Sequence, residues 1–148
     1  MTFERGSIMK GQIGKMCFFR ISEGEDLAEA IERRAKESDI KAGVFILIGT
    51  LERATLGYYK EGEYKHIQLD CPLEIASCMG NVTVDEKGDV IIHAHVVVSN
   101  EKGEAFGGHV MKNSPVGVTA ELVIIECAGI NLQRAFDEKT KLNLLKLN

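Results

Sequence analysis

Apolar and polar positions change their period along this chain, and the changes mark its elements. Lys15 to Ile21 (KMCFFRI) is a short apolar run that predicts a buried strand. It leads into Ser22-Glu23-Gly24-Glu25, where Ser and Glu three residues apart carry the signature of a helix-capping box. From Asp26 to Glu37, apolar residues recur at Leu27, Ile31 and Ala35, which predicts one amphipathic helix with a charged outer face. Gly43 closes the connection, and the β-branched run Val44 to Ile48 predicts a second buried strand. Beyond it the pattern is β-rich. Strands are expected over Ala54–Tyr59, Tyr64–Leu69, Leu73–Val84, Val90–Ser99, Glu104–Met111 and Val118–Glu126, separated by Gly, Pro, Asn and Asp clusters typical of hairpin loops. The tail from Gln133 to Asn148, with Leu142, Leu144, Leu145 and Leu147, predicts a short terminal strand or turn. One principal helix (about 26–37) against a mainly antiparallel sheet is an α+β arrangement, and a length of 148 residues predicts a single domain over 1–148.

Two loops in the β-rich half are near copies: Asp85-Glu86-Lys87-Gly88-Asp89 and Asn100-Glu101-Lys102-Gly103-Glu104. Each fits a three-residue hairpin loop with Gly in the left-handed position beside a bulge. Asp85 then stands opposite Asp89 and Asn100 opposite Glu104, which fixes the pairing of three successive strands. In that register one face of the middle strand carries Ile92, Ala94, Val96 and Val98. Their partners are Val82, Gly80, Cys78 and Ala76 on one side, with Val110, Gly108 and Phe106 on the other. All are apolar or Gly, so this is the core face, and a slip of one residue would reverse it. The opposite face carries His93 beside Asn81 and His95 beside Met79, with His109 directly across from His95. Three of the four histidines therefore gather on one patch.

Residues i and i+2 project from the same side of a strand, and directly paired side chains hold their Cβ atoms about 4.5–5.5 Å apart. Three imidazoles so placed can meet one ion at the roughly 2.0–2.1 Å that zinc–nitrogen bonds require, with positions left for water, an anion or a substrate. Zinc is the expected ion; nickel, iron and copper also accept imidazole. Asn81 is expected to support or contact the ligand, and Gly107 and Gly108, lacking Cβ atoms, to let backbone or ligand come close. The fourth histidine, His66, reads as a surface residue of an ordinary strand.

Composition narrows the field. Hydrophobic residues are 45% and charged residues 27%, which excludes an intrinsically disordered chain. Lys+Arg of 18 against Asp+Glu of 22 gives a net charge of -4, contrary to a protein that grips nucleic acid by its overall field. Aromatic residues are 6% with no Trp, which leaves little for stacking on single-stranded bases. The longest apolar stretch is too short to span a membrane, and the opening MTFERGSIMKGQIGK lacks the apolar core of a secretory signal, so a cytoplasmic location is expected. Cys17, Cys71, Cys78 and Cys127 show no C-x-x-C spacing and are expected to be buried thiols. Glu74, Glu121 and Glu126 are candidates for a fourth ligand or a general base, although a solvated carboxylate accounts for each. Arg33, Arg34 and Lys36 alternate with Glu29, Glu32 and Glu37 and read as intrahelical pairing rather than a DNA footprint. Nucleophile-elbow and phosphate-loop patterns are absent.

Leu73-Glu74-Ile75-Ala76-Ser77, then Gly80-Asn81, His93-Ala94-His95 and Gly107-Gly108-His109, together resemble the PPC (plants and prokaryotes conserved) domain. Arg20, Gly24-Glu25-Asp26, Ile48-Gly49-Thr50, Ala54, Leu56, Arg134 and Asp137 agree with it, so the resemblance covers nearly the whole chain. It implies an α+β fold, assembly as a homotrimer and, by analogy with plant members that carry AT-hooks, binding to AT-rich DNA. This chain has no R-G-R-P hook and is acidic, so it looks like the stand-alone bacterial and archaeal type, in which H-x-H and G-G-H resemble metal ligands. Three functions follow as expectations: a metal-binding protein, which as an enzyme would be a hydrolase or lyase of a small molecule; a DNA-associated regulatory or architectural protein; and a trimeric structural or ligand-sensing module.

Overall fold

The structure, a computed structural model, describes residues 8–146. The first seven residues of the opening segment, and Leu147 of the leucine-bearing tail, lie outside that range. In chain order the elements are β1 (Gln12–Ser22), α1 (Leu27–Glu37), β2 (Gly43–Leu51), β3 (Ala54–Lys60), β4 (Glu63–Leu69), β5 (Leu73–Val84), β6 (Val90–Ser99), β7 (Ala105–Val110), β8 (Val116–Ala128), β9 (Gln133–Asp137) and β10 (Leu142–Lys146). The strands form one sheet in the order β1-β8-β2-β5-β6-β7-β3-β4. Pairing is antiparallel except where Val84 meets Gln133 in a parallel bridge that ties the β9–β10 hairpin to β5. This is the expected α+β arrangement, and the tail is a two-stranded hairpin rather than a single strand or turn.

The helix begins one turn later than the capping box at Ser22 implies. Asp26 is the N-cap, its Oδ1 accepting from Glu29 N at 3.2 Å. The Ser22–Glu25 pair instead closes the turn before the helix, with Ser22 N donating to Glu25 Oε2 at 2.7 Å. Gly24 sits there at φ +82, a conformation that favours glycine. The other oxygen of Asp26 accepts from Asn113 N at 2.7 Å and Ser114 N at 3.0 Å, so one carboxylate starts α1 and also clamps the loop before β8. Leu27, Ala30, Ile31 and Ala35 bury one stripe of α1 against the sheet. The outer face is charged as expected: Lys36 pairs with Glu32 at 2.7 Å, and Arg33 and Arg34 both reach Glu37 and Glu25.

One face of the sheet makes the core with α1, through Ile21, Phe45, Leu47, Cys78, Val82, Ala94, Val96, Val98, Leu122 and Ile124. Each such large aliphatic or aromatic side chain contributes roughly 1.5–3 kcal/mol when removed from water. The expectation that KMCFFRI and Val44–Ile48 are buried strands is corrected. Both alternate, with Phe45 and Leu47 buried while Met16, Phe18, Val44, Ile46 and Ile48 stand exposed on the other face. An apolar residue on a strand is buried only if something covers its side of the sheet, and α1 covers one side alone.

The two loops have the expected geometry. Gly88 and Gly103 lie at φ +86 and +75, and Asp85 N and Asn100 N donate to Asp89 O and Glu104 O at 2.9 and 3.1 Å. The resulting register pairs Asn81 with His93, Met79 with His95 and His95 with His109. One partner differs: a bulge between Ile75 and Ser77 makes Ile75, not Ala76, face Val98, and Ala76 is exposed. Phe106 pairs with Val98 as expected but stays 37% exposed. Gly80 is required where it is, because a Cβ there would meet His93 O at 2.0 Å and Phe45 Cζ at 2.6 Å. The missing side chain admits the Phe45 ring to the core.

Replacing Asp26 by Ala removes the helix cap and leaves two loop N–H groups without their acceptor, one of them on fully buried Ser114. The expected loss is about 2–4 kcal/mol, a fall in Tm on the order of 10 °C in a thermal melt followed by circular dichroism. Asp26→Asn, which keeps one acceptor oxygen, should lose markedly less.

Candidate metal centre

His93 and His95 alternate onto one face of β6, and β7 brings His109 beside His95 by direct pairing. Their ring centroids lie 5.0 Å (His93–His95), 5.1 Å (His93–His109) and 5.7 Å (His95–His109) apart. One ligand nitrogen from each falls within 4.8 Å of the others. The two Nε2 atoms of His93 and His95 are 3.2 Å apart. Two nitrogens each about 2.05 Å from a common ion and 3.2 Å from one another subtend roughly 100°, close to the tetrahedral angle of zinc sites. His109 Nδ1 is buried and has no hydrogen-bond partner among the described residues, leaving a ring nitrogen whose polarity nothing yet offsets. Donor type and spacing thus fit a divalent transition-metal ion. No carboxylate or thiol joins the group among the described residues, so Glu74, Glu121 and Glu126 supply no fourth ligand within it. Glu126 instead accepts from Lys15 N at 3.0 Å where β1 and β8 run side by side.

Burial shapes the electrostatics. It pushes the His109 imidazole down from 6.5 to about 4, with the neighbouring charges of His93 and His95 adding to the effect. His93 is also lowered, first by burial and then by the nearby Arg134 guanidinium and His95. A neutral imidazole offers a lone pair, so both rings are in the form a metal needs at neutral pH.

Two site residues lay beyond the reach of spacing alone. Arg134, on β9, donates to Asn81 Oδ1 at 2.9 Å, Thr83 Oγ1 at 3.2 Å and Asn143 O at 3.1 Å. A further Arg134 N–H reaches His93 Nδ1 at 3.5 Å, the outer limit of a hydrogen bond. Were His93 to hold an ion through Nε2, its Nδ1 would carry the ring hydrogen and the contact with Arg134 would be lost, while the other three would remain. Tyr64, on β4, lies against His109 with centroids 4.6 Å apart. Gly57 makes the room, since a Cβ there would meet Tyr64 Cδ1 at 2.9 Å. Neither residue is near the histidines in sequence. Arg134 was visible only through the family pattern, and Tyr64 carried no signal at all.

Asn81 stands beside His93 as expected, and its role here is to hold Arg134. Gly107 lies on the histidine face and is exposed. Gly108 packs on the core side of the sheet, opposite Val96, where a Cβ would meet Gly57 O at 2.9 Å. His66 is exposed on β4. Of the cysteines only Cys78 is buried, and burial pushes its thiol up to about 12, whereas Cys71 is exposed and Cys17 and Cys127 are half-buried.

The histidine patch continues into apolar surface. His95, Met79, Ile46, Val123 and Phe18 stand opposite one another in a row across β6, β5, β2, β8 and β1. Phe18 is 74% exposed, Met79 59% and Ile46 54%. At the other edge, His93 and His109 form one wall of an open cavity of about 490 Å³ bordered by the β9–β10 hairpin.

Comparison with known proteins follows the same lines. A metal-containing protein from Archaeoglobus fulgidus is 33% identical, with a TM-score of 0.85 over 94% of this chain and 98% of that one. A plant- and prokaryote-conserved (PPC) protein from Pyrococcus horikoshii is 32% identical, with a TM-score of 0.86 over 99% of this chain and 97% of that one. Among curated sequences, the bifunctional protein GlmU of a Synechococcus strain is 29% identical over 128 residues, which are 85% of this chain and 19% of the relative. The chain spans about a fifth of the length of the curated relatives it matches. No helix among the described residues is long and apolar enough to cross a membrane. The model of the Plants and Prokaryotes Conserved (PCC) domain matches residues 8–128, and the chain belongs to that family.

Proposed function

We propose that this protein binds one divalent transition-metal ion, zinc before others, through His93, His95 and His109, and presents it to a small ligand. The observation that carries the reading is the 3.2 Å separation of the His93 and His95 Nε2 atoms, with His109 closing the triangle. The Archaeoglobus relative, described as metal-containing, supports it. Three imidazoles leave coordination positions open, as sites that handle water or substrate do and closed structural sites do not. The ion would supply charge to polarise a bound oxygen. His95 is exposed, so truncating it spares the core. Elemental analysis of natively purified protein should find close to one zinc per chain, falling at least about tenfold in His95→Ala with an unchanged circular dichroism spectrum. Equal metal content in the variant would refute the site.

The exposed apolar row beginning at His95 supports a second element of the reading, self-association as a homotrimer. Contiguous apolar surface of this kind marks an interaction site. Light scattering on a sizing column should give the mass of three chains for the wild type. Ile46→Asp, a charge set in the middle of the row, should shift it towards one.

Acidity gives an independent check on the histidines. His109 is neutral in the folded protein down to about 4, whereas an unfolded histidine gains its proton near 6.5. Between those values the unfolded chain binds more protons, so the metal-free protein loses stability as pH falls from 6.5 towards 4. Thermal midpoints across that range should decline. His109→Phe, which retains an aromatic ring beside Tyr64, should flatten the decline.

A further inference from the structure

The β9–β10 hairpin lies beyond residue 128, where the family match ends, and it lines the cavity beside the histidines. It contributes Arg134, Lys141 and Asn143 together with the apolar Leu142 and Leu144. Tyr59 Oη holds its turn by donating to Thr140 O at 2.8 Å, and Asp137 caps the same turn through Thr140 N and Oγ1. The charges of the cavity are unequally matched. Glu32 is paired with Lys36 at 2.7 Å, and Lys141 with Glu138 at 2.6 Å. Arg134 has no carboxylate partner among the described residues: its contacts are an amide oxygen, a hydroxyl, a backbone carbonyl and a neutral imidazole. It is partly buried, and burial lowers its pKa.

A guanidinium withdrawn from water without a counter-ion is costly, and an anion in the cavity would relieve that cost. Of its five N–H groups, three are engaged by Asn81, Thr83 and Asn143, and one more rests in the weak contact with His93. The one donor left over, together with the weakly held one, suits one carboxylate. Ile91, Leu142 and Leu144 on the same cavity offer apolar surface for a short hydrocarbon body, and about 490 Å³ is the size of a small-molecule site.

The geometry points to a small organic carboxylic acid as the ligand of this cavity, its carboxylate neutralising Arg134 beside the histidine-held ion and its short apolar chain lying under the terminal hairpin. The inference rests on the metal reading for the ligand's second contact, but its own anchor is Arg134. The hairpin then serves as the specificity element of the site.

Titration calorimetry with 2-oxobutyrate as probe, on zinc-loaded and metal-free protein, tests it. Zinc-loaded wild type should bind the acid, bind its uncharged methyl ester at least about tenfold more weakly, and prefer the acid to inorganic phosphate. Arg134→Met should keep its zinc by elemental analysis and bind the acid at least about tenfold more weakly. Arg134→Lys should recover part of the loss. Leu142→Glu, which sets a like charge on the cavity wall without touching the core, should exclude the acid as well and stands in for Arg134→Met if that variant fails to fold. Unchanged acid binding in Arg134→Met or Leu142→Glu overturns the proposal, as does zinc-loaded wild type that binds neither the acid nor phosphate. Phosphate bound as tightly as the acid overturns the carboxylate assignment. Acid bound through Arg134 by protein that takes up no zinc upholds the anion site while refuting the metal reading.

Discussion

Two side-chain oxygens set the register on which the site depends. Asp85 Oδ1 accepts from Lys87 N at 2.8 Å and Asp89 N at 3.0 Å, and Asn100 Oδ1 accepts from Lys102 N and Glu104 N, each at 3.0 Å. Each oxygen stabilises a loop that carries one glycine at positive φ, and each loop fixes which residue of the next strand lies opposite. A slip of one residue in either hairpin would turn the histidines into the core and the valines into water. The hydrophobic core and the metal donors are therefore two faces of one choice of register. The core enforces it, because Ala94, Val96 and Val98 have no other low-energy place to go.

The two faces of the sheet have different fates. On one, α1 covers the apolar residues and the chain completes its own core. On the other, nothing among the described residues covers Phe18, Ile46 and Met79, while the histidines sit at the margin of that surface. The site consequently has an apolar row on one side and a partly enclosed cavity on the other. That asymmetry explains why His95 is exposed while His93 and His109 are partly buried, and why burial lowers the pKa of the latter two.

Partial enclosure also organises the polar groups. Tyr64 and the hairpin partly enclose His93 and His109, so charge beside them is less screened than at open surface. The imidazoles respond by remaining neutral. Arg134, which cannot do so, gathers three acceptors from two strands, Asn81 and Thr83 on β5 and Asn143 on β10, with β9 supplying the arginine itself. One side chain thereby joins the terminal hairpin to the wall that holds the histidines.

The sequence by itself determined the local periodicities and the loop chemistry. Gly88 and Gly103, each three residues after Asp85 and Asn100, are signals confined to a few neighbouring positions, and they carried the pairing of His93, His95 and His109 with them. The α+β class, the helix and the strand bounds of β5 and β6 were legible for the same reason. Tertiary structure decided what local pattern does not encode. Which side of a strand is covered depends on where α1 lies, so Phe18 and Ile46 read as core and are exposed. The bulge that displaced Ala76 answers to neighbouring strands rather than to its own flanks. Arg134 and Tyr64 reach the histidines only because the chain returns there from distant strands, and no spacing within a single segment measures such a return.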